Sequence, residues 1–168
     1  LDRNILVTGG GSGIGKATAL LLGMQKASVV IVDQNRETAH RTVDELKQLG
    51  CRASAVVADI SNPDAVEQMY ADTMENYETL DGIVHCAGIG VERTILETTR
   101  EEWDRIIAVN LSGTFFCAQG AAKIMAKQRY GRIVLMGSAA GERGGTGRTA
   151  YGASKGGVSA ITRVMAVE

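Results

Sequence analysis

Five short apolar runs alternate along this chain with stretches of helical character, and that alternation restricts the fold more than any other feature. The runs are Asn4–Thr8, Ser28–Asp33, 52–58, 80–85 and 132–136. Helical patterns follow at 13–25, 36–49, from Pro63 to about Tyr77, from about Thr99 to about Gln128, and at 151–168. Runs that are apolar throughout suit strands covered on both faces, which is the setting of a parallel sheet. Parallel strands joined by right-handed helical crossovers give an α/β, doubly wound, Rossmann-type sheet. Local signals agree. Gly50 is a stop for the second helix, Asn62-Pro63 reads as N-cap and first helical position, and 98–102 carries capping-box spacing. A kink is expected near Asn110.

The chain has 168 residues, which predicts one domain over 1–168. With 18 basic and 19 acidic residues the net charge is -1, so no electrostatic footprint for nucleic acid is present. No apolar run reaches bilayer-spanning length and no signal peptide is seen, so no membrane partner is expected. Cys51, Cys86 and Cys117 are scattered without C-x-x-C spacing, which fits core or near-core thiols and a reducing, cytoplasmic setting. His40 and His85 show no metal-ligand spacing, and no metal is expected.

Ligands bind doubly wound sheets beyond the carboxyl ends of the strands. Thr8, Asp33, Asp59, Cys86 and Ser138 all fall at or just past such ends. After the first strand, residues 8–15 read Thr-Gly-Gly-Gly-Ser-Gly-Ile-Gly, a turn whose backbone N–H groups approach a pyrophosphate where a helix begins. The spacing differs from G-x-G-x-x-G. Asp33 is placed to accept hydrogen bonds from an adenosine ribose. A 2′-phosphate about 4 Å away would cost on the order of 4 kcal/mol per pair of unit charges at an effective dielectric of about 20. Gln34 follows, not Arg or Lys, so NAD is expected over NADP.

Tyr151 and Lys155 lie four residues apart, hence on one helix face. A free phenol, with pKa about 10, is a poor base at neutral pH. An ammonium about 5 Å away favours phenolate by roughly 3 kcal/mol, which suits general acid/base work. Ser138 can donate to the same developing alkoxide. Glu101, Glu102 and Asp104 read as helix-start charges, and Trp103, Ile106 and Ile107 as a packing stripe.

In these motifs the chain closely resembles the short-chain dehydrogenase/reductase family in its single-domain form. The matches are 8–15, Asp33, Asp59, Ala87-Gly88, Asn110, Ser138, and Tyr151 with Lys155, in the family's order over nearly the whole length. The resemblance implies hydride transfer between a nicotinamide and a small-molecule alcohol or carbonyl. It implies cofactor contacts from Gly9, Ser12, Gly13, Ile14, Gly15, Asp33, Asp59, Ile60, Cys86, Ala87 and Gly88. It also implies that Asn110 orders a water in a proton relay, Ser138 binds the substrate oxygen, Tyr151 exchanges its proton, and Lys155 holds the nicotinamide ribose. A homodimer or homotetramer built on the helices after 111 and 151 is implied too. His85-Cys86-Ala87-Gly88 departs from the family's frequent Asn-Asn-Ala-Gly, and the expected consequence is loss of a sheet-to-loop hydrogen bond.

The family continues beyond the position of Glu168 with further strands and a loop over the substrate, so a truncated record of a longer enzyme is expected. An NAD-dependent alcohol or polyol dehydrogenase is the leading expectation. A 3-oxoacyl-thioester reductase and a non-catalytic NAD-binding sensor or scaffold are the alternatives. Glu142, Arg143 and Arg148, in the loop before Tyr151, hint at a polar substrate.

Overall fold

The computed structural model describes residues 3–168. The elements run β1 (Asn4–Thr8), α1 (Gly13–Met24), β2 (Ser28–Asp33), α2 (Arg36–Gln48), β3 (Ala53–Val57), α3 (Pro63–Asn76), β4 (Gly82–His85), α4 (Arg100–Ile107), α5 (Thr114–Gln128), β5 (Arg132–Leu135) and α6 (Thr149–Met165). A π-helical turn, Ala108–Gly113, joins α4 to α5, and a 3₁₀ turn, Ala139–Gly141, follows β5. All strand pairs are parallel, in the order β3-β2-β1-β4-β5. The order reverses between β1 and β4, and the crevice at that switch point is where such folds bind ligands.

Side chains alternate across the sheet and build two cores. Leu6, Val30, Val32 and Ile83 face α3 and α5, where they meet Met69, Tyr70, Cys117, Ala121 and Met125. Val7, Val29 and Ile31 face α1 and α2, against Ala19, Ala39, Val43 and Leu46. Each fully buried aliphatic chain contributes roughly 1.5–3 kcal/mol relative to exposure. The doubly wound parallel sheet expected from the alternation is therefore the fold observed.

Strand and helix ends differ from the expected ones by a few residues. β4 begins at Gly82 because Leu80 is engaged elsewhere, its N–H and carbonyl both bonded to the Gln128 side chain. α6 begins two residues before Tyr151, at Thr149. Asn62 caps α3 through Asp64 N–H with Pro63 in the first turn, and Thr99 with Glu102 forms the full capping box of α4. The kink expected near Asn110 is the π-helical turn, whose extra residue redirects the helix and turns Asn110 toward the end of β4.

Candidate active site

A cleft of about 510 Å³ opens at the switch point. Gly9, Ser12, Gly13, Ile14 and Gly15 form one wall, Asp33, Asp59 and Ile60 another, and Cys86, Ala87 and Gly88 a third. These eleven residues expected at the dinucleotide line one crevice, whereas Lys155 and Tyr151, also expected at the cofactor, do not line it. Two glycines are required by close approach. A Cβ on Gly9, whose φ is +64°, would sit 2.9 Å from the Ala87 backbone, and one on Gly15 would sit 2.2 Å from the Gly9 carbonyl oxygen. α1 starts here with no acidic residue in its first turn and no side-chain cap, so its leading N–H groups and the positive end of its dipole are left for an anion. Cleft size, glycine cradle and bare helix start fit a dinucleotide pyrophosphate.

Asp33 ends β2 half-buried, and its carboxylate is fixed from both sides. Oδ2 accepts from Gly11 N–H at 3.0 Å and Oδ1 from Asn35 N–H at 3.0 Å. Each oxygen keeps acceptor capacity toward the cleft. Asp59 is exposed and folds onto its own turn, accepting from Ser61 N–H and hydroxyl at 3.0 and 2.8 Å. Ile60 is buried behind it at 5 % exposure.

Beyond Gly88, outside the residues that line the cleft, stand four polar residues supplied by three separate segments: Asn110, Ser138, Tyr151 and Lys155. Lys155 is 6 % exposed, and its ammonium donates to the Met136 carbonyl at 2.8 Å. The same ammonium lies 5.9 Å from the Tyr151 ring centroid. Burial lowers the Lys155 pKa below the ordinary lysine value, with Cys86 acting in the opposite direction. Asn110 is fully buried: Oδ1 accepts from Ile89 N–H at 2.8 Å and Nδ2 donates to the Ile89 carbonyl at 2.8 Å. Asn110 also reaches Ser154 at 3.3 Å, which ties α6 to the π turn. A Cβ on Gly88 would lie 3.3 Å from Asn110 Oδ1 and 3.8 Å from Lys155 Nζ, so these three residues surround one point at the sheet's carboxyl edge. Ser138 caps the 3₁₀ turn, its hydroxyl accepting from Ala140 N–H at 3.2 Å.

That turn is pressed onto α6. A Cβ on Gly141 would fall 2.6 Å from Gly156 N and 2.7 Å from the Lys155 carbonyl carbon. Backbone cannot yield at that distance, so Gly141→Ala must push the Ser138 turn away from α6, the helix that carries Tyr151 and Lys155. The expected outcome is at least a tenfold loss in kcat with about 1–3 kcal/mol lost from stability, as for other overpacked sites. Steady-state kinetics with urea unfolding check it, and unchanged kcat would contradict it.

His85 is a residue whose importance spacing did not reveal. It is 1 % exposed, and its Nδ1 lies 2.9 Å from the Thr8 hydroxyl, which also accepts from Ala87 N–H at 3.2 Å. The expected loss of a sheet-to-loop hydrogen bond is thereby corrected: Thr8 makes that bond, and His85 supports Thr8. Nε2 is buried without a partner among the described residues. Burial, then the Lys155 charge, lowers the His85 pKa to about 4. An unfolded imidazole titrates near 6.5, so above that pH neither state holds the proton and the native state keeps its full stability. As pH falls from about 6.5 toward 4, only the unfolded chain takes up the proton, and roughly 2–3 kcal/mol is lost. His85→Asn should flatten this part of the stability profile, measured by urea unfolding at pH 4.5 and 7. An identical slope in the variant would contradict the assignment.

Cys86 lines the cleft, half-buried; burial raises its thiol pKa, while a Thr18 hydrogen bond and Lys155 oppose that. Arg105 of α4 also lines the cleft, and no pattern in the chain pointed to it. Among the described residues no group of His, Cys, Asp and Glu could hold a metal ion, and no helix is long and apolar enough to cross a membrane.

Known proteins are similar to this chain in sequence and in fold. The chain is 40% identical over 167 residues to the (2S)-((R)-hydroxy(phenyl)methyl)succinyl-CoA dehydrogenase subunit BbsD of Thauera aromatica, covering 99% of this chain and 67% of that one. It is 38% identical over 164 residues to a 3-oxoacyl-(acyl-carrier-protein) reductase of Synechocystis, covering 97% of this chain and 66% of that one. The chain thus spans about two thirds of the length of these relatives. Among solved structures, NAD+-bound xylitol dehydrogenase superposes with a TM-score of 0.96 at 30% identity, over 98% of this chain and 64% of that one. The short chain dehydrogenase profile matches residues 3–168, and the chain belongs to that family.

Proposed function

We propose that this chain carries the cofactor-binding and proton-transfer parts of an NAD-dependent oxidoreductase that interconverts a secondary alcohol and its ketone. The observation that carries this reading is the buried Lys155 ammonium. It is held by the Met136 carbonyl, 5.9 Å from the Tyr151 ring, at the carboxyl edge of the sheet beside the glycine-walled cleft. A buried cation with one fixed acceptor costs stability. Here it faces a phenol, and that pairing suits a site where charge develops on oxygen.

A bound nicotinamide supplies or accepts the hydride. Tyr151 takes the hydroxyl proton of the alcohol during oxidation and returns it during reduction. Lys155 holds the nicotinamide ribose and stabilises negative charge on the phenol oxygen. Ser138 donates to the substrate oxygen. Asn110 acts as a positioning residue, because both polar ends of its amide are committed to Ile89 and so fix the segment 87–89. Gly9, Ser12, Gly13, Ile14 and Gly15 hold the pyrophosphate, Asp33 the adenosine ribose, Asp59 and Ile60 the adenine, and Cys86, Ala87 and Gly88 the ribose floor.

Asp33 favours NAD over NADP, and the NAD+-bound xylitol dehydrogenase neighbour supports the same preference. The 3-oxoacyl-thioester reductase reading draws on the Synechocystis relative, but a carboxylate at the ribose opposes the phosphate of NADPH. A scaffold without chemistry would leave the Lys155 and Tyr151 arrangement without use. Phe115 on α5 and Val164 on α6 are exposed at 42 % and 55 %, which supports pairing of copies through those two helices. The test is a 340 nm absorbance screen of the full-length protein with NAD or NADP against secondary alcohols, polyols and hydroxyacyl thioesters. NAD-dependent oxidation of alcohols is expected. Turnover confined to NADPH and oxoacyl thioesters would move the assignment to the reductase, and no turnover with tight NAD binding would favour the scaffold.

A further inference from the structure

Two loops meet beside the Tyr151 ring, and they carry charge that hydride transfer does not use. One follows β4 and contains Glu92 and Arg93; the other precedes α6 and ends at Arg148. They are stitched together by Arg93 N–H donating to the Gly147 carbonyl at 3.0 Å and by a parallel bridge between Arg93 and Arg148. The Arg148 guanidinium lies 5.9 Å from the Tyr151 ring centroid, matching the separation of Lys155 on the same ring. Lys155 is buried and committed to Met136, whereas the Arg148 side chain is 42 % exposed. Its ion-pair partner is Glu92, at 2.9 Å with a side chain 69 % exposed. Arg93 is engaged by Glu102 at 3.1 Å.

We propose that Arg148 is a specificity-determining residue that receives a carboxylate of the substrate, so that the enzyme acts on hydroxy acids and the corresponding oxo acids. The inference rests on the reading of Tyr151 as the acid/base. An ion pair this exposed contributes little, so Glu92 holds the guanidinium in place without occupying it strongly. A substrate carboxylate brought against the ring displaces water and engages the guanidinium through two parallel hydrogen bonds, the geometry in which arginine surpasses lysine. Arg148 stands one helical turn before Tyr151, at the start of the same helix. The group that recognises the anion is therefore the N-cap of the helix that carries the group that moves the proton.

The experiment measures kcat/KM of the full-length protein for 3-hydroxybutanoate and 4-hydroxypentanoate, each beside its primary amide. A folding defect lowers both members of a pair, so the acid-to-amide ratio isolates recognition of the charge. The wild type should prefer the acid by roughly ten- to hundredfold, the worth of a charge-assisted hydrogen bond. Arg148→Gln should bring the ratio near one, Arg148→Lys should fall between, and Glu92→Gln should raise it. If the pair only staples the loops, Arg148→Gln and Glu92→Gln shift the ratio together or not at all, and either result overturns the proposal. Binding of 4-oxopentanoate to the NADH complex, followed by fluorescence, gives a second readout, with at least a tenfold weaker Kd expected in Arg148→Gln. Equal affinity there overturns the proposal. Oxidation of all four alcohols with one unvarying ratio sinks the anion site alone. No oxidation, with 4-oxopentanoate still bound through Arg148, sinks the hydride-transfer reading and leaves the anion site standing.

Discussion

Tyr151→Phe is expected to lower kcat by about 10²–10⁴, the usual worth of a positioned general acid/base. The change removes one oxygen from a half-buried ring and leaves the packing of α6 intact. NADH affinity should move by no more than about tenfold, the value of one neutral hydrogen bond. This pairing of outcomes separates chemistry from binding. A residue that merely packed its ring would tolerate phenylalanine, and a residue that mainly held the cofactor would show its loss in Kd. Steady-state kinetics with NADH fluorescence titration of the full-length protein give both numbers. Turnover like that of the wild type would remove Tyr151 from the proposed mechanism.

Removing the charge at Asp33 is expected to erase most of the preference for NAD. At about 4 Å and an effective dielectric of about 20, one like-charge pair costs on the order of 4 kcal/mol, and partial exposure of the site reduces that. Asp33→Asn should therefore lower the NAD-to-NADP ratio in kcat/KM by roughly 30- to 1000-fold. Because the Asp33 carboxylate also accepts from Gly11 and Asn35 N–H, the variant will loosen the loop for both cofactors. The ratio is insensitive to that shared loss, whereas either kcat/KM alone is not. Arginine at both 33 and 34 should carry the preference further toward NADP. An unchanged ratio in these variants would contradict the assignment of Asp33.

The layered fold was readable because its signals are local and repeated. Apolar runs such as Ser28–Asp33 alternate with helical segments, and Asn62-Pro63 and Thr99 announce helix starts through their own side chains. The strand-end positions followed directly, since a parallel sheet delivers every carboxyl end to one edge. What stayed hidden depends on tertiary contact. Met136 acts through its carbonyl, which no side-chain pattern reports. His85 looked unremarkable by spacing, yet a register that pairs it with Thr8 buries it against the end of β1. Arg105 reaches the cleft only through the packing of α4 against the π-helical turn and α6. Arg148 was visible as a loop charge, but its place beside the Tyr151 ring depends on two loops meeting across 54 residues of chain, from Arg93 to Gly147.

The most direct measurement is a crystal structure of the full-length protein with NAD bound. The account predicts pyrophosphate against the N–H groups of Gly13, Ile14 and Gly15, adenosine ribose on Asp33, and nicotinamide ribose on Lys155 with the Tyr151 hydroxyl facing the pyridine ring. A dinucleotide seated elsewhere, or a Tyr151 hydroxyl turned away from that ring, would contradict it.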